Sequence, residues 1–255
     1  MRHATALLAV LTLTACGDAG TDTTSTPAIE ASEAGAPIGR TEASAQPVAT
    51  AEVAAPDAQA VEPTPVPEGS LSATEMTLGD EDAPLTLIEY ASVTCGACAS
   101  FNAAIMPDIK RELVDTGLVR FVYREFPTPP EQLSIAGSML ARCAASDRGA
   151  DAYFAATDAL YARQRDWAFG ANPRQALLDI FGQVGMDRAA IQSCLGRPDV
   201  FDKIKDNIAE ARSLGVNSTP TLVIDGEIYD FRPLVQGGGT DDLIADLRAR
   251  AEAKG

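Results

Sequence analysis

Apolar side chains follow three different patterns along the chain. Residues 6–15 (ALLAVLTLTA) form one run broken only by threonines, residues 17–70 hold hardly a large aliphatic group, and from residue 71 apolar positions recur with the periods of strands and helices. Folded structure is therefore expected to start near Leu71. A first strand is read in Leu85–Tyr90 (LTLIEY), entered through the turn-forming stretch GDEDAP. Alternation puts Leu85, Leu87 and Glu89 on one face of that strand. Beyond it Cys98, Phe101, Ile105, Ile109 and Leu113 recur at three and four residues, the stripe of an amphipathic helix. Pro107 should kink this helix, because it lacks an N–H and its ring crowds the carbonyl four residues back. Gly117 should end it, and LVRFVYREF (118–126) reads as a second strand.

Residues 130–214 are almost continuously helical in pattern, with breaks at Gly149, Asn172-Pro173, Gly185 and Arg197-Pro198. Strand character returns in TLVIDGEIYDF (221–231), where Asp225-Gly226 signals a hairpin. A last helix is expected over Thr240–Lys254, capped by Thr240 or Asp241. Strand, helix and strand, then a helical block, then hairpin and helix predict an α/β fold: one sheet layer with the block inserted between its halves.

The amino-terminal run changes the setting. It follows Arg2 and His3 and is too short to span a bilayer as a helix, which marks residues 1–15 as a secretory signal. Leu13-Thr14-Ala15-Cys16 at its end resembles the lipobox of bacterial lipoproteins. That resemblance implies cleavage before Cys16, acylation of the cysteine, and attachment to a membrane on the periplasmic side of the cell envelope. The inner-membrane retention signal of that family, an aspartate directly after the cysteine, is not met, because Gly17 stands there. Cysteine number agrees with the lipid: there are five, and setting Cys16 aside leaves the even set Cys95, Cys98, Cys143 and Cys194 in an oxidising compartment.

Charge divides the chain as well. Of the formal −16, residues 17–70 hold nine acidic side chains against Arg40 alone. An acidic chain has no electrostatic reason to bind nucleic acid or anionic lipid. Residues 16–70, rich in alanine, proline and glutamate, cannot bury enough apolar surface to offset their ordering entropy. They are expected to form a disordered tether with a mean reach of roughly 40 Å.

The chemistry is concentrated in SVTCGACASF (92–101), where Cys95 and Cys98 are separated by Gly96 and Ala97 at the start of the predicted helix. Such a pair can be a redox centre, half of a metal site or a structural staple. At a helix start the first sulfur lies near unpaired N–H groups and the positive end of the helix dipole, which lowers its pKa from the free value of about 8.5. A thiolate beside a second thiol is what thiol–disulfide exchange requires: Cys95 attacks or is attacked, and Cys98 resolves the mixed disulfide.

EYASVTCGAC after a strand, FVYREFP, and VNSTPTLVIDGE near the end together resemble the DsbA-like thioredoxin-fold oxidoreductases, over most of residues 71–255. The resemblance implies a thioredoxin-like fold with the helical insertion (about 130–214) between a βαβ half and a C-terminal ββα half. It implies that Pro220 follows a cis peptide bond, and that Thr219 and Pro220 lie against the cysteine pair and contact substrate chains. It assigns Glu89 to a buried acid beneath the disulfide, able to exchange a proton with Cys98. Cys143 and Cys194 match a second pair within the insertion, which implies a structural disulfide; closing that loop of about 50 residues would stabilise by roughly 4 kcal/mol on a chain-entropy argument. Many members carry proline and histidine between the cysteines, where this chain has Gly96 and Ala97. Cys95 therefore has only the helix terminus and nearby N–H donors to support its charge, which predicts a potential between roughly −150 and −240 mV.

The one histidine, His3, lies within the signal. A mature chain without histidine excludes Cys-His and Ser-His-Asp hydrolases, histidine metal sites and CxxCH haem attachment. A four-cysteine zinc site usually has two close pairs, and only one is present. No metal and no cofactor beyond the Cys95–Cys98 disulfide is expected. The predicted function is disulfide exchange with reduced or misoxidised exported proteins, recharged by an unidentified redox partner. The alternatives are a reductase or isomerase, and a binding lipoprotein in which the cysteines are only a staple.

Overall fold

The computed structural model describes residues 74–255, Asp147 apart. The expected signal (1–15), Cys16 and the expected tether (16–70) lie outside the described residues. Five strands form one sheet: β1 (Met76–Leu78), β2 (Leu85–Ala91), β3 (Val119–Glu125), β4 (Thr221–Ile224) and β5 (Glu227–Tyr229), in the order β1-β3-β2-β4-β5. β2 and β3 are parallel, and every other neighbouring pair is antiparallel. A parallel pair needs a crossover. It is supplied by α1 (Gly96–Ala104), α2 (Met106–Ile109) and a π-helical turn over Lys110–Val114.

Between β3 and β4 lie α3 (Glu131–Ala145), α4 (Ala150–Ala162), α5 (Gln164–Trp167), α6 (Pro173–Gln183), α7 (Arg188–Leu195) and α8 (Pro198–Ser213). A 3-10 turn (Arg232–Val235) and α9 (Asp241–Glu252) follow β5. Helix boundaries fall where local chemistry dictates. Pro173 and Pro198 occupy first turns, where a missing N–H costs nothing. In the hairpin Asp225 (φ 54°) and Gly226 (φ 79°) both take positive φ, the two-residue turn whose twist suits paired strands.

Three expectations are corrected. Folded structure includes β1, which the sequence did not reveal; three residues paired only to β3 carry too little alternation to read. The helix after Cys98 is not one bent rod. It stops at Ala104, and Pro107 sits in the first turn of a second helix, the position that tolerates proline. Thr240 stands at the N-cap of α9 but makes no capping bond; its hydroxyl donates to the Asp108 carboxylate instead.

Register decides which side chains meet. Leu87 pairs with Phe121 and Ile224, Glu89 with Tyr123 and Leu222, and Ala91 with Glu125. Directly paired residues share a face, so two glutamates enter the same side of the sheet. That side belongs to the main core, with Cys98 and Phe101 of α1, Trp167 of α5, and Leu243 and Leu247 of α9. On the other side Tyr90 and Val223 meet Ala211 and Val216 at the end of α8.

Candidate active site

β2 delivers the chain into the loop Ser92–Cys95, and Cys95 becomes the N-cap of α1. Its backbone is extended (φ −83°, ψ 121°), and its carbonyl accepts the first helical bond, from Ala99 N–H at 3.1 Å. A cap side chain normally satisfies the free N–H groups of the first turn. Here the sulfur stands at that position without a capping hydrogen bond, near enough for the N–H groups of Ala97 and Cys98 to act on its charge. Cys95 is half-buried, whereas Cys98, one turn along, is fully buried; both are free thiols.

The two environments drive the thiols apart. The Cys95 pKa is lowered to about 5, first by the hydrogen bond from the Cys98 thiol, with help from the Thr219 hydroxyl and the N–H groups of Cys98 and Ala97, against partial burial. Burial pushes the Cys98 thiol far up, and the bond to Cys95 and the charges of Glu89 and Cys95 push it further. Near pH 7 the first cysteine is a thiolate and the second a thiol.

Glu89 lies beneath them, 4% exposed, on the main-core face of β2. Among the described residues its carboxyl has no hydrogen-bond or ion-pair partner, and burial, then the Cys95 charge, raise its pKa to about 8. Tyr123, across the strand pair, and Tyr161 of α4 join hydroxyls at 2.9 Å, and both feel the charges of Glu89 and Cys98.

The antiparallel pairing of β4 with β2 sets Thr221 opposite Tyr90 and so carries the preceding loop to the Cys95 end of β2. In that loop Thr219-Pro220 is cis, and the Thr219 carbonyl lies 3.4 Å from Cys95 Sγ, accepting from it when the thiol is protonated. Beside the pair opens a mainly apolar groove of 390 Å³, lined by Ala97, Phe101, Ile105, Pro220, Phe231 and Val235 among others. The structure thus brings Cys95, Cys98, Glu89, Thr219 and Pro220 together. Cys143 of α3 and Cys194 of α7 form a disulfide within the insertion, and Cys194 is buried.

Several residues at the site went unread in the sequence. Ser92 Oγ lies 2.8 Å from Ser134 Oγ and accepts from Thr128 N–H at 3.1 Å, and the Thr94 hydroxyl donates to the Thr128 carbonyl at 2.8 Å. Gln164 of α5 donates from its amide nitrogen to the carbonyls of Val93 (2.9 Å) and Cys95 (3.0 Å). The only local signal is the cluster of small hydroxyls before Cys95; partners 34 to 71 residues away leave none. Among the described residues no group of three or more histidine, cysteine or acidic side chains is placed to hold a metal ion, and no helix is long and apolar enough to cross a membrane.

A family model described as thioredoxin matches residues 71–235. A putative protein-disulfide oxidoreductase of Rickettsia bellii is 28% identical over 133 residues, covering 52% of this chain and 49% of the relative. A similarly named protein of Rickettsia felis is 28% identical over 158 residues, covering 60% of this chain and 53% of its own length. The chain thus spans about half the length of these curated relatives. Among solved structures, alpha-DsbA1 of Wolbachia pipientis is 27% identical with a TM-score of 0.58, covering 74% of this chain and 96% of that one. BdbD of Bacillus subtilis shares the fold at 17% identity and a TM-score of 0.59, with 72% and 95% covered.

Proposed function

The chain belongs to the thioredoxin family, in its DsbA-like form, and on that premise we propose that it is a thiol:disulfide oxidoreductase that passes the Cys95–Cys98 disulfide to reduced exported proteins. The observation that carries this reading is the asymmetry of the pair: a half-buried Cys95 with its pKa near 5 beside a buried Cys98 whose thiol resists ionisation. The names of the relatives, protein-disulfide oxidoreductases, support the same chemistry.

In the oxidised enzyme a substrate thiolate attacks Cys95 Sγ. The Cys95–Cys98 bond breaks, a mixed disulfide forms on Cys95, and Cys98 leaves with the electron pair. Buried as it is, that sulfur must take a proton. Glu89, whose burial holds its proton above the usual carboxylate range even without the Cys95 charge, is the acid at hand. A second substrate thiolate then attacks the substrate sulfur of the mixed disulfide. Cys95 leaves as a stabilised thiolate, and the substrate has lost two electrons to the pair. A pKa of about 5 lies between the values of about 3.5 for DsbA and about 7 for thioredoxin, supporting intermediate oxidising power. Thr219, Pro220 and the adjoining groove are the surface for an extended, partly apolar substrate segment. Re-oxidation falls to a separate redox partner, which takes the two electrons.

Cys95→Ser is expected to abolish peptide oxidation. Cys98→Ser, offered substrate disulfides, should accumulate mixed disulfides on Cys95, because the resolving thiol is gone. Trapping on the Cys95 variant instead would reverse the two roles, and oxidation of thiol peptides by Cys95→Ser would refute the reading. We further propose that residues 1–15 are removed, that Cys16 is acylated, and that residues 16–70 tether the domain (71–255) to a membrane of the cell envelope. Fractionation of Cys16→Ser tests this, with release to the soluble fraction expected; retention would sink the anchor.

A further inference from the structure

The loop that carries Cys95 is gripped from the helical insertion. Gln164, in the one-turn helix α5, gives both amide hydrogens inward, to Val93 at 2.9 Å and Cys95 at 3.0 Å. The next residues of α5 back this up. Trp167 is fully buried and anchored by its indole N–H to the Leu160 carbonyl at 2.8 Å. Gly137 of α3 admits the pair: a Cβ there would stand 3.1 Å from the Trp167 ring and 3.3 Å from a Val93 methyl. Glycine lets α3, the indole and Val93 close up at that point; an added Cβ would require the ring and the methyl to give by a few tenths of an ångström.

The Cys95 carbonyl fixes the peptide plane between Cys95 and Gly96. Glycine at 96 gives that joint no side-chain support, since a Cβ there would touch nothing within 4 Å, and the plane rests on the bond from Ala99 N–H and on Gln164. Beyond that joint lie the N–H groups of Ala97 and Cys98, which support the Cys95 thiolate. Their aim depends on that plane, which Gln164 holds together with the Ala99 bond. We propose that Gln164 is a positioning residue for the redox pair: by fixing the carbonyls of Val93 and Cys95 it keeps the first turn of α1 aimed at the Cys95 sulfur, so that the insertion sets the thiolate's stability from outside the CxxC motif. This rests on the thiol–disulfide exchange reading above.

The test is Gln164→Met, which keeps length and bulk and removes both donors. The Cys95 titration, followed by thiolate absorbance, should move upward. Equilibrium with the glutathione couple should shift towards the protein disulfide by about tenfold, equivalent to about 30 mV. A merely structural role would lower the stability of oxidised and reduced protein alike and leave titration and equilibrium where they were; that result overturns the proposal. Wild-type protein gives a second arm that does not depend on the variant folding. The side-chain NH2 resonances of Gln164 should titrate with the Cys95 midpoint, and resonances indifferent to pH across it would equally overturn the assignment. Wild-type protein that does not exchange with glutathione would instead refute the function itself, so the two failures are distinct.

Discussion

Glu89 and Glu125 enter the same face of one sheet from neighbouring parallel strands, and both are almost wholly buried. Their fates are opposite. Glu125 accepts from Arg142 Nε (2.7 Å) and a terminal guanidinium nitrogen (2.8 Å), from the Tyr153 hydroxyl (2.8 Å) and from Asn207 Nδ2 (2.6 Å). Burial alone would raise its pKa, but the arginine's charge and bonds outweigh burial and hold it below the usual carboxylate range. Glu89 has burial and a nearby thiolate, no arginine, and a pKa of about 8. One fold therefore holds two buried carboxyls in two protonation states near pH 7. The difference lies in the partners, since depth is the same. Glu125 ties β3 to α3, α4 and α8, joining sheet and insertion; Glu89 is left able to gain and lose a proton under the cysteines.

The largest effect should come from unmaking the satisfied site. Glu125→Gln keeps the shape but takes from the buried Arg142 the carboxylate that accepts from its Nε and a terminal nitrogen, and is expected to cost on the order of 3–5 kcal/mol in denaturant unfolding. The Cys95 titration should stay in place. A loss below about 1 kcal/mol would mean that Arg142 finds compensation elsewhere.

Glu89→Gln should act with the opposite sign. Below pH 4.5 folded and unfolded chains both carry the proton on Glu89, and it costs nothing. Between 4.5 and about 8 the unfolded chain releases that proton and the folded one does not, so the wild type loses stability as pH rises, and the loss is complete above 8. Glutamine does not titrate. The variant should gain on wild type through that window, reaching roughly 1–3 kcal/mol after the cost of burying an amide. It should also slow the release of Cys98 from its disulfide by about a hundredfold, the usual worth of a general acid. A stability difference independent of pH would break the contrast between the two carboxyls.

How far this contrast was legible in the sequence depends on range. Alternation with Leu85 and Leu87 placed Glu89 inward, and Asp225-Gly226, Asn172-Pro173 and Arg197-Pro198 marked turns, because each signal lies within a few residues. The same alternation along Val119, Phe121 and Tyr123 would have turned Glu125 inward. Its neutralising partners, however, come from 17, 28 and 82 residues away. Gln164 in YARQRDW carries no local signal of a role, and only the tertiary fold turns its amide onto Val93 and Cys95. Short strands such as β1 are silent for a related reason: their stability is borrowed from a neighbour.

The finest test uses the redox state itself. Two causes raise the Glu89 pKa: burial, which is the larger and does not depend on oxidation, and the charge on Cys95. Closing the Cys95–Cys98 disulfide abolishes that charge and leaves the burial. The Glu89 pKa is therefore expected to fall on oxidation yet stay above 4.5, because burial still has no partner to offset it. Glu125 feels no such thiolate, and its titration should be the same in both redox states. Carboxyl infrared bands or side-chain carbon shifts followed against pH in oxidised and reduced protein give both values at once. By linkage, a Glu89 that is more acidic in the oxidised enzyme makes the potential depend on pH across the interval between its two pKa values, because reduction there takes up an extra proton. A Glu89 titration identical in the two states would mean that the carboxyl does not sense Cys95, and the case for its handing a proton to the departing Cys98 would fall with it.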